Sequence, residues 1–123
     1  MDVHMERMQQ LDPGIMERAL QAMYGLEGFV ARSGLEKSLL ELVKLRASQL
    51  NGCAYCIDMH TKDARARGES EQRLYMLTAW SESPFYSDRE RAALLWTEAL
   101  TFVADGHAPR RRLRGGAAIL HER

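Results

Sequence analysis

The chain has 123 residues, enough for one domain but too few for two domains that each bury a core. Apolar residues make up 46% of it and charged residues 28%, which is typical of a globular protein and excludes a linker-like or collagen-like chain. Seventeen basic and seventeen acidic residues cancel, so no overall field that would attract a polyanion is expected. The charge is unevenly spread, because residues 110–123 carry five arginines and one glutamate.

No stretch approaches the ~20 consecutive apolar residues of a membrane span, so no membrane is expected as a partner. Residues 1–6 lack the apolar core of a signal peptide, and we expect a cytoplasmic protein. Thiols stay reduced in that compartment, which makes a structural staple between Cys53 and Cys56 unexpected. Segment 110–123 is predicted to be an atypical, disordered basic tail, and we expect no nucleic acid as a partner.

The first three predicted elements are helices, and no alternating apolar run long enough for a strand occurs in the chain. Asp12 followed by Pro13 predicts the start of a first helix, which carries an apolar stripe and ends at residues 33–34. A second helix is predicted over about residues 36–50. A third is predicted over about 53–67, after an Asn-Gly turn.

The later elements begin at serines that can cap a helix. Ser70 predicts a fourth helix over about residues 71–81. Ser87 and Glu90 form a capping box that opens a fifth helix, predicted to end near Gly106. The predicted fold is therefore all-α, a compact bundle of five or more helices with a central antiparallel hairpin, in one domain over residues 1–109.

Glu41, Cys53, Cys56 and His60 form a candidate site if the second and third helices run antiparallel. Glu41 lies ten residues before the turn residue Asn51, and His60 lies nine after it. At ~1.5 Å rise per residue both lie roughly 14–15 Å from the turn, which makes contact between their side chains available. His60 follows Cys56 by four residues and the cysteines are three apart, so all three share one helix face.

These residue types suit thiol redox chemistry. A thiol attacks only as the thiolate, and a helix N-terminus favours that form. His60 can accept the proton of Cys56, and Glu41 can orient the imidazole and stabilise its charged form. A thiol oxidised to sulfenic acid can then condense with the neighbouring thiol, and an external thiol can reduce the resulting disulfide.

The residues alone leave several alternatives open. Proximity to the helix N-terminus favours Cys53 as the attacking thiol, whereas the base one turn away favours Cys56. Tyr55 is a candidate to bind substrate through a hydrogen bond, or it only packs. The cysteines also fit a zinc site completed by His60, a disulfide switch that senses oxidants without turnover, or two small buried side chains.

Glu41 and the segment Asn51-Gly52-Cys53-Ala54-Tyr55-Cys56-Ile57-Asp58-Met59-His60 resemble the AhpD-like alkylhydroperoxidase core of the carboxymuconolactone decarboxylase-like family. The spacings from the glutamate to the first cysteine and from the second cysteine to the histidine both match. Segments 45–49 and 85–94 are also similar, and the likeness covers about residues 12–109.

The resemblance implies an all-helical homo-oligomer that reduces a peroxide substrate with an external dithiol or reducing protein and without a flavin or haem cofactor. It gives the peroxide-attacking role to Cys56 and the resolving role to Cys53. Glu41 and His60 would then relay the proton, with no metal at the site. The decarboxylase branch of the family lacks this cysteine pair, so decarboxylation is not expected.

Overall fold

The computed structural model describes residues 12–107, which form helices and contain no strand. The all-α prediction is therefore confirmed, whereas the predicted tail 110–123 lies outside the described residues. In chain order the elements are α1 (Pro13–Ala31), α2 (Lys37–Asn51), α3 (Ala54–Ala66), α4 (Glu71–Met76), a 3₁₀ turn (Leu77–Ala79), α5 (Asp88–Thr101) and α6 (Val103–Gly106).

The chain divides into two compact units, Met1–Leu35 and Glu36–Arg123, and the single domain over residues 1–109 stays a prediction. In the first unit, the Asp12 carboxylate accepts a hydrogen bond from the Ile15 N–H at 3.0 Å and so caps α1. Helix α1 buries none of its side chains. Its large exposed apolar residues are Ile15, Met23, Tyr24, Leu26 and Phe29.

Helix α2 is central to the second unit, because it packs against α3, α5 and the 3₁₀ turn. Four leucines are fully buried between these elements, and each contributes ~1.5–3 kcal/mol by leaving water. They are Leu42, Leu45, Leu77 and Leu94. In the part of the chain that the structure describes, no helix has both the length and the apolar character that a membrane span needs.

A tight turn joins α2 to α3 and makes the predicted antiparallel hairpin. Gly52 adopts φ +64°, a left-handed conformation that glycine takes without a Cβ clash. The N–H of Gly52 bonds the carbonyl of Gln49 at 3.2 Å, and the N–H of Cys53 bonds that of Ser48 at 3.1 Å. These two bonds form a Schellman motif, which ends α2 and reverses the chain at once.

The fourth helix is shorter than predicted, since α4 ends at Met76 and not at Ser81. The chain tightens into the 3₁₀ turn, and the N–H of Trp80 then bonds the carbonyl of Leu77, three residues back. Arg91 of α5 donates to the carbonyls of Trp80 and Ser81. A long-range guanidinium thus satisfies carbonyls that have no helical partner in this segment.

The capping box at the start of the fifth helix is present. Ser87 Oγ accepts from the Glu90 N–H at 3.2 Å, and the Glu90 carboxylate accepts from the Ser87 N–H at 2.8 Å. The predicted end near Gly106 is wrong for this helix, because α5 ends at Thr101 and α6 follows as a separate turn. Thr97 and Thr101 both bond the carbonyl four residues back through their hydroxyls, a contact that weakens and bends helices.

Candidate active site

A disulfide joins Cys53 and Cys56, whose Cα atoms are 5.3 Å apart. Cys53 is the N-cap of α3, and its Sγ accepts a hydrogen bond from the N–H of Cys56 at 3.3 Å. Both cysteines are partly exposed, so a reagent in solution can reach the bond. The pair therefore has the geometry and the access that reversible thiol oxidation needs. The expected cytoplasmic location instead predicts two reduced thiols.

Glu41 on α2 and His60 on α3 are in contact across the hairpin. The Oε2 atom of Glu41 lies 3.0 Å from Nδ1 of His60, and the side chains are 8% and 14% exposed. A carboxylate this buried needs hydrogen-bond partners, and it accepts best from an Nδ1–H. With the proton held on Nδ1, Nε2 of His60 is the nitrogen left free to act as a base.

Arg67 also contacts Glu41, although no local motif marks it in the sequence. Its Nε lies 3.4 Å from Oε1 of Glu41, the carboxylate oxygen that does not face His60. Arg67 follows His60 by seven residues, two turns of α3. This helical spacing is the signal that could have placed it on the same face as the candidate site.

The only candidate metal-ligating cluster among residues 12–107 consists of Glu41, His60 and Asp63, whose ligand atoms lie within 4.8 Å of one another. Neither cysteine belongs to this cluster, and both sulfurs are joined in the disulfide. The guanidinium of Arg67 beside Glu41 repels a cation at that position. The described geometry therefore favours proton transfer over metal binding at these side chains.

Tyr55 is 58% exposed and lies between the two cysteines on the first turn of α3. Met59, one turn further along the helix, is 36% exposed. Their four-residue spacing places the two side chains on one face of α3. A role for Tyr55 in binding substrate stays a prediction.

The hairpin is supported by an ion pair between α2 and α5. Arg46 NH2 lies 2.8 Å from Oε1 of Glu98, and the indole N–H of Trp80 donates to the same oxygen at 2.7 Å. These contacts tie the helix that carries Glu41 to α5 and to the loop after the 3₁₀ turn. They fix the position of α2 without involving the candidate site.

A second charged cluster connects α4 to the start of α5. Arg73 lies 2.7 Å from Glu69 and 2.6 Å from Glu90, and its guanidinium stacks over the Tyr86 ring at 4.9 Å. Burial acts to raise the pKa of Glu90, but the hydrogen bonds from Arg73 and Ser87 outweigh it, so this pKa is lowered. The hydrogen bonds from Arg73 to Glu90 and to Glu69 raise the pKa of Arg73.

The all-helical fold matches that of AhpD-like proteins, and in this chain a Cys-x-x-Cys disulfide opens one arm of the helical hairpin. The chain belongs to the carboxymuconolactone decarboxylase family, whose model matches residues 16–99. The family resemblance found in the sequence is therefore confirmed.

Relatives of the chain include two bacterial proteins and one solved structure. It is 45% identical over 95 residues to the uncharacterized protein YdfG of Bacillus subtilis, a match covering 77% of this chain and 65% of YdfG. It is 35% identical over 68 residues to the uncharacterized protein YnjA of Escherichia coli, covering 55% of this chain and 37% of YnjA. The chain thus spans less than two thirds of either relative.

A crystal structure of a protein of unknown function from Agrobacterium tumefaciens, provisionally assigned as the antioxidant defence protein AhpD, has the same fold. It matches with a TM-score of 0.79 at 43% identity, over 85% of this chain and 71% of that chain. Membership in this family and the Cys53–Cys56 disulfide are both compatible with a peroxidase.

Proposed function

We propose that the protein is a thiol-dependent peroxidase that reduces alkyl hydroperoxides with the Cys53–Cys56 pair. The observation that carries this proposal is the contact between the buried Glu41 of α2 and His60 of α3. The first turn of α3 also holds the disulfide. An acid–imidazole pair whose histidine lies one helical turn from Cys56 supplies a base and its orienting group, and the two thiols supply the electron pair.

In the oxidative half of the cycle, His60 takes the proton of the Cys56 thiol. The thiolate attacks the terminal oxygen of the hydroperoxide, the O–O bond breaks, and Cys56 becomes a sulfenic acid. The alkoxide leaves with the proton from His60 as an alcohol. The Cys53 thiol then attacks the sulfenic sulfur, forming the disulfide and releasing water, so one peroxide accepts two electrons.

In the reductive half, an external dithiol returns the two electrons. Its thiolate attacks Cys56 Sγ and expels Cys53 as a thiolate, and its second thiol then releases the enzyme and becomes a disulfide itself. The Cys56 N–H that bonds Cys53 Sγ at 3.3 Å supports this direction, because a helix N-terminus stabilises negative charge on that sulfur. The roles proposed here, Cys56 as the attacking thiol and Cys53 as the resolving one, rest on the family resemblance and on His60, which lies one helical turn after Cys56.

The test is peroxide consumption at steady state with tert-butyl hydroperoxide and dihydrolipoamide. We expect turnover by the wild-type chain and none by Cys56→Ser or Cys53→Ser, because either change prevents the disulfide from closing. Turnover that survives in Cys56→Ser would contradict the proposal. So would a wild-type chain that turns over neither tert-butyl hydroperoxide nor hydrogen peroxide.

A disulfide switch is the second candidate, and the partial exposure of both cysteines favours it. As a switch, the protein would form and lose the disulfide reversibly, and its assembly would change without peroxide turnover. Gel filtration of the oxidised and reduced forms, run beside the turnover assay, separates the two functions. A cytoplasmic location and a homo-oligomeric assembly stay predictions for either.

A further inference from the structure

We propose that Arg67 is a positioning residue of the site, which fixes the carboxylate of Glu41 and through it the ring of His60. The proposal deepens the peroxidase function and rests on it for its kinetic consequence. The geometric part of the proposal does not depend on catalysis. It concerns only which ring nitrogen of His60 carries the proton and which carboxylate accepts the hydrogen bond from it.

The backbone places Arg67 by a turn that depends on Gly68. Gly68 has φ +91°, and its N–H bonds the carbonyl of Arg65 at 2.9 Å. The N–H of Glu69 bonds the carbonyl of Ala64 at 3.0 Å. This second Schellman motif ends α3 and leaves Arg67 as its C-cap, from which the side chain reaches Glu41 on α2.

The two partners of Glu41 lie on different carboxylate oxygens. His60 Nδ1 is 3.0 Å from Oε2, and Arg67 Nε is 3.4 Å from Oε1. Both partners come from α3, two helical turns apart, while the carboxylate comes from α2. Oε2 has the hydrogen-bonded imidazole as its partner and Oε1 has the charge of Arg67, so the carboxylate is held from both sides and Oε2 stays directed at Nδ1.

A competing carboxylate makes this orientation matter. Asp63 lies one turn after His60, and ligand atoms of Asp63, His60 and Glu41 are within 4.8 Å of one another. Asp63 is exposed, so an imidazole that turned toward it would leave the buried pair and redirect Nε2. Arg67 therefore selects Glu41 over Asp63 as the partner of His60.

Stability is not the expected role of this contact. The side chain of Arg67 is 41% exposed, and ion pairs with an exposed partner add little to folding. The matched control is Arg65→Gln, since Arg65 lies two residues away and its ion pair is with the exposed Glu71. We expect Arg67→Gln and Arg65→Gln to melt within a degree or two of each other.

The decisive readout is the nitrogen spectrum of His60 in ¹⁵N-histidine-labelled protein, assigned among the four histidines with His60→Gln. Wild type and Arg65→Gln should show His60 with its proton on Nδ1. Arg67→Gln should show a mixture of the two ring tautomers, and Arg67→Lys should restore part of the Nδ1 signal. An unchanged Nδ1 signal in Arg67→Gln would overturn the proposal.

Kinetics supply the second readout. A base and its orienting group together contribute ~100-fold or more, so loss of orientation in Arg67→Gln should lower kcat about tenfold with little change in KM. Equal kcat values for Arg67→Gln and Arg65→Gln would also overturn the proposal. If the wild-type chain turns over no peroxide, the peroxidase fails, but the nitrogen spectra still decide whether Arg67 positions His60.

Discussion

Cys53 serves both helices of the hairpin. Its backbone N–H bonds the carbonyl of Ser48 and completes the end of α2, while its Sγ accepts the N–H of Cys56 and opens α3. The sulfur that takes part in the disulfide is thus also a helix cap. Oxidation and reduction at this position act on a turn that the backbone already fixes, so the thiols remain neighbours when the bond is open.

Glu41→Gln tests the acid of the site while keeping its size. The amide can still contact His60, but it neither stabilises an imidazolium nor selects the Nδ1–H tautomer. We expect kcat for peroxide reduction to fall ~100-fold, with KM nearly unchanged. Steady-state kinetics measure both, and far-UV circular dichroism checks the fold.

Leu39→Val is a matched control for that change, since Leu39 is buried on the same helix without a polar contact. It should lower stability by ~1 kcal/mol and leave kcat within about twofold. A Glu41→Gln variant as active as Leu39→Val would mean that the buried acid takes no part in the chemistry.

At the scale of elements, the local signals predict where helices begin better than where they end. Asp12, Ser70 and Ser87 each cap the helix that follows, because a capping side chain bonds an N–H only two or three residues away. The segment after α4 is held instead by Arg91, which is distant in the chain and donates to the carbonyls of Trp80 and Ser81. Such a tertiary contact leaves no local pattern to read.

The contacts of the candidate site also divide into those that local spacing predicts and one that it does not. The Glu41–His60 contact follows from counting residues to one turn, and the cysteine pair follows from spacing along one helix. The contact of Arg67 with Glu41 depends on a second turn at Gly68 and on a side chain that reaches across to α2. Spacing indicates the helix face of Arg67 but not how far its side chain reaches.

Gly52→Ala tests the turn between α2 and α3. An added Cβ would meet no atom within 4 Å, so the only penalty is the left-handed backbone at φ +64°. We expect the free energy of unfolding to fall by ~1 kcal/mol, measured by urea titration.

Gly25→Ala is the matched control, because Gly25 lies inside α1 and its added Cβ also meets nothing within 4 Å. The same substitution should there increase helix content, since alanine is favoured over glycine in a helix interior by about 1 kcal/mol. Gly52→Ala should destabilise its turn, whereas Gly25→Ala should favour its helix. If both substitutions were stabilising or both destabilising, the assignment of Gly52 as a conformationally required glycine would be contradicted.

At the scale of the whole molecule, acid should weaken the second unit through Glu90. The pKa of this carboxyl is lowered from its ordinary value of 4.5, so its ionised form is favoured in the folded state. A lowered folded pKa adds stability that is fully present above pH 4.5 and is lost as pH falls through the folded value.

Urea titrations of wild type and Glu90→Gln over a range of pH measure this contribution. The difference in unfolding free energy should be constant near neutral pH and should shrink below pH 4.5. In an Arg73→Gln background the shrinkage should be smaller, because the side-chain hydrogen bond from Arg73 is gone. A difference that grows on acidification would contradict the lowered pKa.

The exposed face of α1 gives the predicted homo-oligomer a specific test. Met23, Leu26 and Phe29 are each at least 66% exposed, a row that water solvates poorly. We expect sedimentation to show an assembly larger than one chain, and Leu26→Glu to shift it toward the monomer. The control is Glu17→Gln, an exposed polar change on the same helix, and a monomeric wild-type chain would refute the prediction.

Stoichiometric oxidation of the fully reduced chain probes the cysteine chemistry most directly. One equivalent of tert-butyl hydroperoxide is added without any donor, and products are read by mass spectrometry after trapping with dimedone. The wild type should lose two hydrogens as the disulfide closes, and Cys53→Ser should carry a dimedone adduct on Cys56. If both thiols stay free while peroxide remains, or if the adduct forms on Cys53 in Cys56→Ser and not on Cys56 in Cys53→Ser, the account is wrong.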